Sequence, residues 1–350
     1  MSFIPFSALA CPLDGDPMHR QGQTWRCAAG HSFDIARQGY THLLPVQHKR
    51  SRDPGDSKAM VAARQRFLNA GHYQPIAEAV SRLALAEQPT GDAFRCLDAG
   101  CGEGYYLRQL AAASAPDAAL SLLGLDISKW AVLSAAKQDK GAAKQERAVL
   151  SAAKQDKGAA KQERAVLSAT RQDQGTATRE SAAGRQVSTH GREERVSWVV
   201  GSNANLPVQE GSLDCVLCLF GFPVYPEFVR VLEPGGVLIQ ADAGPDHLRE
   251  LREIIYPSLK PERERSAVVP EGLVQQDVET IRYSLALEEP QAIADLLAMT
   301  PHLYRASAEG RARAEALEAL TVTVDVRLTR FVRGAGSRET TPSGIDSAQT

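Results

Sequence analysis

The sequence predicts an α/β fold in which helices flank a mostly parallel β-sheet. Three observations favour this fold: apolar strands recur over residues 94–242, several of them end at an acidic residue, and the first continues into a glycine-rich turn. A strand, such a turn and a following run of apolar residues at helical spacing are typical of the first βα unit of an open sheet. With 350 residues and 43% apolar content, the chain can fill one large domain and an appendage.

The glycine-rich turn is the strongest local signal. Asp98 ends the first apolar run, and Gly100, Gly102 and Gly104 alternate along the turn that follows. Glycine adopts positive φ without strain and lets a ligand approach the main chain, where the next helix presents unpaired N–H groups. A second apolar run ends at Asp126, whose carboxylate would accept two hydrogen bonds from a ribose diol. These residues predict a nucleoside-binding site.

Three further apolar runs continue the pattern, at residues 196–200, 212–217 and 231–239. Because dinucleotide sites use the spacing Gly-x-Gly-x-x-Gly, the alternating glycines disfavour a nicotinamide or flavin cofactor. In this order the motifs resemble those of the class I S-adenosylmethionine-dependent methyltransferases. Asn203 and Leu206 follow the third run, where the adenine ring of the methyl donor would lie.

Alternating apolar residues near the C-terminus predict two last strands, over 278–287 and 321–332, at an antiparallel end of the sheet. The predicted fold class is therefore a Rossmann-like class I methyltransferase sheet of seven mostly parallel strands, within a domain spanning residues 94–333. A small zinc-finger-like domain precedes it.

The composition limits the binding partners and the cellular compartment that we expect for the protein. A net charge of −2 gives no global sign of nucleic-acid binding, so a polyanion surface must be a local patch. The spacing of the six cysteines does not resemble a disulfide set, which favours a reducing compartment. The N-terminus lacks a basic leader with a long apolar stretch, and no apolar run reaches spanning length. We expect a soluble cytoplasmic protein without membrane contact.

Residues 1–45 carry a metal-ligand pattern. Two short motifs, Cys-x2-Asp and Cys-x3-His, are separated by a hairpin-length link, a spacing that can place four zinc ligands tetrahedrally. The departure from a common finger is the carboxylate that replaces a second thiolate, and a degenerate finger held by packing alone is the alternative. Asp16 and His19 are spare candidate ligands. The predicted ligands are Cys11, Asp14, Cys27 and His31.

Residues 46–93 form a basic linker followed by helices. A dense cationic cluster at 48–52 is, on its own, most simply a solvated surface. Beside a finger and ahead of a nucleoside-binding domain, it instead predicts phosphate contacts, which position RNA without reading its sequence. The predicted RNA-binding residues are His48, Lys49, Arg50 and Arg52.

Longer strings make the resemblance more specific. The finger, Gln-His-Lys-Arg-Ser-Arg-Asp-Pro-Gly-Asp-Ser, Gly-His-Tyr-Gln-Pro and Asp-x-Gly-Cys-Gly-Glu-Gly-Tyr-Tyr occur together in this chain, which resembles the bacterial 23S ribosomal RNA (guanine-N1)-methyltransferases. The resemblance implies S-adenosylmethionine and Zn²⁺ as cofactors, 23S ribosomal RNA as partner and a homodimer. It also implies that Tyr73, Glu103, Gly104 and His247 hold the methyl donor.

An insertion interrupts the methyltransferase pattern over about residues 131–190. Residues 131–147 recur unchanged at 148–164 and then in a decayed copy. Successive residues of a helix are about 100° apart, so a 17-residue repeat keeps no common apolar face. We expect the first copy to supply one crossover helix and the rest to be frayed helix or disordered loop. Residues 334–350 predict a flexible tail.

The predicted reaction is an in-line methyl transfer to guanine N1, in which positioning supplies much of the acceleration. Guanine N1 carries a proton near neutral pH, and the sequence identifies no residue that must accept it. Asp242 ends the fifth strand and is a candidate, as is Glu103 unless donor binding occupies it. Pro223 follows the fourth strand, where this fold places acceptor contacts.

The sequence is compatible with two other classes of function. One is a methyltransferase of the same fold that acts on a small molecule or a protein, which the finger and the basic cluster disfavour. The other is a noncatalytic RNA-binding or assembly factor, which the altered zinc ligand suggests.

Overall fold

The computed structural model describes residues 2–48, 51, 53–86, 93–143, 195–259 and 268–334. Its strands in chain order are β1 Ser2–Phe3, β2 His19–Gln21, β3 Thr24–Arg26, β4 Ser32–Asp34, β5 Tyr40–His42, β6 Phe94–Ala99, β7 Ala119–Asp126, β8 Val196–Val200, β9 Leu213–Leu219, β10 Leu232–Ala243, β11 Leu273–Leu287 and β12 Leu320–Arg333. Its α-helices are α1 Lys58–Asn69, α2 Gln74–Leu85, α3 Tyr105–Ala113, α4 over 129–143, α5 Tyr225–Val231, α6 Arg249–Ile255, α7 Pro290–Ala298, α8 His302–Arg305 and α9 Ala308–Glu315.

The central sheet has the order β11-β12-β10-β9-β6-β7-β8-β5, and β1 pairs with β7 beside this path. Strands β6 to β10 pair in parallel, whereas β12 is antiparallel to both of its neighbours. The seven strands from β11 to β8 are those that the sequence predicts, and the fold class is confirmed. The parallel part is buried on both faces, and β9 is accordingly buried along its whole length.

Two short strands of the N-terminal segment join this sheet, which the sequence did not predict. Thr41 of β5 pairs with Val199 of β8, and Ser2 of β1 pairs with Ala119 of β7. Without β5, the backbone groups of β8 would form an exposed sheet edge, and edges of this kind are normally covered. The N-terminal segment is therefore hydrogen-bonded to the large sheet.

The N-terminal segment also shares a hydrophobic core with the sheet. Strands β2, β3 and β4 form a separate antiparallel sheet, which we call the ribbon together with the flanking residues 9–35. Apolar side chains from both parts pack in one cluster. Its members include Cys11, Trp25, Cys27 and Leu43 from the N-terminal segment, Leu97, Leu123 and Val199 from the sheet, and Leu206 from the connection between β8 and β9.

The C-terminal elements follow the predicted pattern with shifted ends. Val322, Val324, Val326 and Leu328 are buried along β12, as the alternation predicts for a strand that covers the core with one face. Strand β11 begins at Leu273, five residues before the predicted start. Helix α6 begins at Arg249, directly after Leu248, which has a left-handed φ of 54°.

Helix α4 contains the described part of the first repeat copy, so the predicted crossover helix is confirmed there. Ser128 caps it by accepting a hydrogen bond from the N–H of Ala131 at 3.3 Å. Ala131, Val132, Ala135 and Ala136 are buried against the sheet. The later copies and the predicted tail from 335 onward lie outside the described residues. Of the helices that the structure describes, none has the length and apolarity needed to cross a bilayer.

Candidate active site and metal centre

The glycine turn after β6 lies at the carboxyl edge of the sheet. Gly100, Gly102 and Gly104 have φ values of 98°, 56° and 78°, so all three use the left-handed region that disfavours other residues. The N–H groups of Gly100 and Cys101 donate to the carbonyl oxygen of Leu125 at 2.8 and 2.9 Å. These bonds hold the turn beside the end of β7, as a nucleoside site in this fold requires.

Gly104 has a packing role that the sequence did not reveal. A Cβ added at Gly104 would lie 2.2 Å from a ring carbon of Trp198, and one added at Gly124 would lie 2.3 Å from the same indole. Trp198 in turn donates its indole N–H to Asp139 of α4 at 3.1 Å. The resemblance places Gly104 in donor binding, whereas the structure shows that it also makes room for Trp198 behind the turn.

Asp126 faces the turn from the end of β7. Its carboxylate accepts hydrogen bonds from the backbone N–H of Gly102 at 2.9 Å and of Ser128 at 2.7 Å. Burial raises the pKa of Asp126, and these bonds and the nearby Arg64 act in the opposite direction. Each carboxylate oxygen has a second lone pair, so the group can still accept the two hydroxyls of a ribose.

Asp98 is the buried carboxyl of the site. It is only 1% exposed, and neither of its oxygens has a hydrogen-bond partner among the described residues. Burial, together with the charges of Asp126 and Glu103, raises the pKa of Asp98 to about 8. Because buried carboxyls in proteins are normally paired, this group needs a cationic partner. S-adenosylmethionine carries an ammonium and a sulfonium, so the site fits that donor.

Glu103 is joined to a residue that the sequence did not single out, Arg64 of α1. The Nε atom of Arg64 donates to Glu103 at 2.8 Å, and Nη1 donates to Asp56 at 2.5 Å. A signal for it existed in the sequence, because Arg64 occupies the centre of an otherwise apolar helical face. The buried residues on that face are Met60, Val61, Phe67 and Leu68.

Tyr73 and His247 meet in the site although they are 174 positions apart in the chain. The backbone N–H of Asp325 donates to His247 Nδ1 at 3.3 Å, so the neutral ring carries its proton on Nε2 and donates it to the Tyr73 hydroxyl at 3.4 Å. Burial lowers the pKa of His247 to about 4, which keeps the ring neutral. Phe220 stacks on His247 with ring centroids 6.0 Å apart.

Asn203 lies beside the glycine turn, whereas the side chain of Leu206 lies in a hydrophobic core. The amide of Asn203 donates to the carbonyl oxygen of Ala99 at 3.4 Å, which brings it to the end of β6 beside the glycine turn. The side chain of Leu206 is buried in the core that the ribbon and the sheet share. Its backbone N–H donates to Glu227 at 2.7 Å.

The segment after β9 borders the same edge of the sheet. Phe220 has a left-handed φ of 55°, which is rare for a residue with a side chain, and Phe222 is 89% exposed just before Pro223. Asp242 accepts a hydrogen bond from Gln240 at 2.7 Å. Burial, then the charges of Asp98 and Asp242, raise the pKa of the Cys218 thiol to about 12, so this thiol lies near both carboxyls.

The ribbon brings the four predicted metal ligands together. Their ligand atoms all lie within 4.8 Å of one another. The Nδ1 atom of His31 lies 3.5 Å from the sulfur atoms of Cys11 and Cys27, and Cys27 lies 3.4 Å from Asp14. A tetrahedron with zinc bonds of about 2.0–2.3 Å has edges of about 3.3–3.8 Å. The cluster therefore fits zinc, whereas the spare candidates Asp16 and His19 are not part of it.

Replacing the carboxylate ligand Asp14 by a thiolate is expected to increase the affinity for Zn²⁺. Asp14→Cys should bind Zn²⁺ at least about tenfold more tightly, because thiolate is the softer and stronger zinc ligand. Competition against a chromophoric chelator measures the difference. Asp34→Cys, which adds a thiol to the exposed end of β4, should leave the affinity unchanged. Equal affinities for Asp14→Cys and the natural protein would remove Asp14 from the ligand set.

The predicted phosphate contacts can be located only through their neighbours. Lys49, Arg50 and Arg52 lie outside the described residues, as does the side chain of His48. On the C-terminal side of this stretch, Asp56 accepts a hydrogen bond from the Ser128 hydroxyl at 2.7 Å through its carbonyl. A Cβ at Gly55 would lie 2.9 Å from Ile127. The loop after the basic stretch thus packs against the end of β7, beside Asp126.

Comparisons with known proteins agree with this arrangement. A family profile described as the zinc ribbon "RlmA, N-terminal" matches residues 9–52. A Micromonospora griseorubida relative with the provisional name 23S rRNA (guanine-N(1)-)-methyltransferase is 30% identical over 347 residues, which are 92% of this chain and 96% of the relative. A Bacillus subtilis relative with the same provisional name is 26% identical over 330 residues, again 92% and 96%.

A third relative has a more specific name. The 23S rRNA (guanine(748)-N(1))-methyltransferase of Streptomyces fradiae is 29% identical over 243 residues. The matched part covers 69% of this chain and 66% of that relative.

Proposed function

The chain belongs to the family of 23S rRNA (guanine-N1)-methyltransferases, and from that premise we propose that it transfers a methyl group from S-adenosylmethionine to N1 of a guanine in 23S ribosomal RNA. The observation that carries this proposal is that the relationship covers the ribbon and the sheet together. The first part fits RNA recognition and the second fits the methyl donor. A small-molecule methyltransferase would have no use for the metal ribbon.

On the donor side, the glycine turn and the end of β7 bind the nucleoside. Asp126 accepts the ribose hydroxyls, and Asn203 and the backbone at Leu206 border the adenine. Tyr73 and His247 also hold the donor, with the neutral imidazole fixed by the backbone N–H of Asp325. When bound, the donor supplies a methyl carbon on a positively charged sulfur. The chain's contribution is to hold that carbon in line with the base.

On the acceptor side, Asp242 and the segment around Pro223 face the incoming guanine. A methyl group can bond to N1 only if the N1 proton leaves, and a carboxylate at this edge can accept it. Gln240 donates to Asp242 at 2.7 Å and so fixes the orientation of that carboxylate. Asp242 is therefore the proton acceptor in this proposal.

On the RNA side, the basic stretch His48, Lys49, Arg50 and Arg52 would contact phosphates. The N-terminal domain of residues 1–45, which contains the ribbon, would bind a folded element of the RNA. The linker and helices of 46–93 then connect this surface to the donor site in the domain of 94–333. We further propose that the enzyme acts in the cytoplasm as a homodimer. Light scattering of the purified full chain tests the dimer.

The decisive experiment incubates the full-length protein with labelled S-adenosylmethionine and unmodified large-subunit RNA, then maps primer-extension stops. A methyl on N1 blocks base pairing, so one strong stop at a guanine is the expected result. Label incorporation without a stop would place the methyl on another atom. Absence of label despite calorimetric donor binding would point to a binding factor instead of an enzyme.

A salt titration separates an RNA substrate from a small-molecule or protein substrate. Contacts to phosphates release counterions, so binding to ribosomal RNA fragments should weaken steeply as salt increases. An affinity independent of salt would argue against the phosphate contacts.

Substitution of Phe222 is expected to weaken RNA binding without weakening donor binding. A largely exposed aromatic ring at the acceptor edge can stack on an unpaired base, and such stacking is worth about 1–3 kcal/mol per base. Phe222→Ala should therefore raise the KM for RNA about 5- to 100-fold and leave donor affinity unchanged. Phe222→Trp should restore most of the loss, because the indole also stacks.

Two further variants complete that test. Tyr304→Ala, which removes an aromatic ring that is 67% exposed on α8, should change neither value. Pro223→Ala should leave donor binding intact and reduce turnover. Unchanged RNA kinetics in both Phe222→Ala and Pro223→Ala would remove this segment from the mechanism.

A further inference from the structure

A buried carboxyl and one buried guanidinium nitrogen lack hydrogen-bond partners in the described part of the active site. The carboxylate of Asp98 accepts no hydrogen bond, and the Nη2 atom of Arg64 donates none, among the residues that the structure describes. Leaving buried polar atoms without a hydrogen-bond partner is costly. Two such groups beside one turn indicate a ligand that carries both an ammonium and a carboxylate.

Both groups border the glycine turn. Asp98 is the last residue but one of β6, directly before the turn. A Cβ added at Gly102 would lie 3.1 Å from Arg64 Nη2, so this nitrogen lies against the turn itself. The two groups do not pair with each other, since Arg64 engages Glu103 and Asp56 instead.

Arg64 is held so that one edge of its guanidinium stays available. Glu103 accepts from Nε and Asp56 accepts from Nη1, and these ion pairs fix the plane of the group. A fixed guanidinium loses little entropy when a further carboxylate binds to it. Glu103, which is 2% exposed, is then a positioning residue for Arg64.

We propose that Arg64 binds the α-carboxylate of the methyl donor through Nη2 and that Asp98 binds its α-ammonium. This inference rests on the proposed function and specifies how the amino-acid end of the donor is recognised. The acidic surroundings of Asp98, Glu103 and Asp126 suit a donor with net positive charge, and Arg64 supplies the one contact that its carboxylate needs.

Arg108 is the alternative candidate for binding the α-carboxylate of the donor. Its Nη2 atom is also buried without a partner, while Nη1 donates to the carbonyl of Glu103 at 2.7 Å. A Cβ added at Gly104 would lie 3.1 Å from Arg108 Nη1 and 2.2 Å from the ring of Trp198, so Arg108 lies beside Trp198. Asp139 of α4, which accepts a hydrogen bond from Trp198, is among the charges that act on Arg108. Arg108 therefore lies on the side of the turn that faces Trp198.

A pair of truncated ligands tests the inference. S-adenosylhomocysteine contains the amino-acid end, whereas 5′-methylthioadenosine has the same thioether and nucleoside without it. Calorimetry on the full-length Arg64→Gln protein should show about 10- to 100-fold weaker binding of the first ligand, as expected for loss of a charge-assisted hydrogen bond. Binding of the second should stay within about twofold of the natural protein.

Two other variants serve as matched comparisons. Arg66→Gln lies two residues along α1, where Arg66 pairs with Asp295, and it should change neither affinity. Arg108→Gln should weaken neither ligand selectively. A selective loss of S-adenosylhomocysteine in Arg108→Gln, and not in Arg64→Gln, would overturn the assignment.

The remaining outcomes are also decisive. Equal weakening of both ligands in Arg64→Gln would mean that Arg64 only supports the fold, and would overturn the inference while leaving the proposed function intact. Failure of both ligands to bind the natural protein would overturn the proposed function as well. If Arg64→Gln does not fold, Asp98→Asn decides: it should weaken S-adenosylhomocysteine about tenfold or more and spare 5′-methylthioadenosine.

Discussion

Gly104→Ala will lose about 3 kcal/mol or more of folding free energy, together with measurable donor binding. The methyl group would lie 2.2 Å from the ring of Trp198, and the backbone at this position has a φ of 78°. Overpacking a core costs about 1–3 kcal/mol, and a left-handed non-glycine residue costs about as much again. Urea denaturation and calorimetric titration with S-adenosylhomocysteine measure the two losses.

The matched control is Gly141→Ala in α4. A Cβ there meets nothing within 4 Å, and the backbone is helical. Alanine is the better helix former by up to about 1 kcal/mol, so this variant should be unchanged or slightly more stable. The same substitution at two glycines of one chain is thus expected to act in opposite directions. A stable Gly104→Ala protein that binds donor would show that Trp198 has another place to pack.

Asp98→Asn will make the ligand-free protein more stable at pH 8 and less able to bind the donor. Burial, with the charges of Asp126 and Glu103, raises the pKa of Asp98 to about 8, whereas an unfolded carboxyl titrates near pH 4. Between these values the folded state binds more protons than the unfolded state. The stability of the natural protein therefore falls as pH rises through this window, by at most about 1.4 kcal/mol per pH unit.

The asparagine variant lacks this ionisation, so its stability should change less between pH 5 and pH 8. Denaturation at the two pH values measures that difference. Asp34→Asn removes a carboxyl from an exposed position in the ribbon and should keep the pH dependence of the natural protein. An Asp98→Asn protein with the natural pH dependence would show that another group is responsible.

The seven predicted strands could be located because each of them leaves a local signal. Strands β6 to β10 are apolar runs, and the alternation at Val322, Val324, Val326 and Leu328 indicates a strand that covers the core with one face. The contributions of β1 and β5 could not be predicted in the same way. They are two and three residues long, too short for any periodicity, and they become strands only by pairing with β7 and β8.

The candidate site was predictable where single residue types imply a chemistry. Glycines at positive φ, an acid at a strand end and a set of thiol, carboxylate and imidazole ligands are of this kind. Arg64 was not found because its role depends on contacts with Glu103, 39 positions away, and with Asp56. The second role of Gly104 depends on Trp198, which enters from β8 across the repeat insertion. Tertiary packing decides both roles, and the local sequence records only that Arg64 lies on an apolar helical face.

The pairing of β5 with β8 and the shared core attach the ribbon to the sheet through both hydrogen bonds and apolar packing. In the function proposed here, an RNA element bound by the ribbon would lie at a fixed distance and angle from the methyl-transfer point. The enzyme would then select the guanine by its distance from that element as well as by the shape of its base. A flexible linker between ribbon and sheet would abolish this distance-based selection.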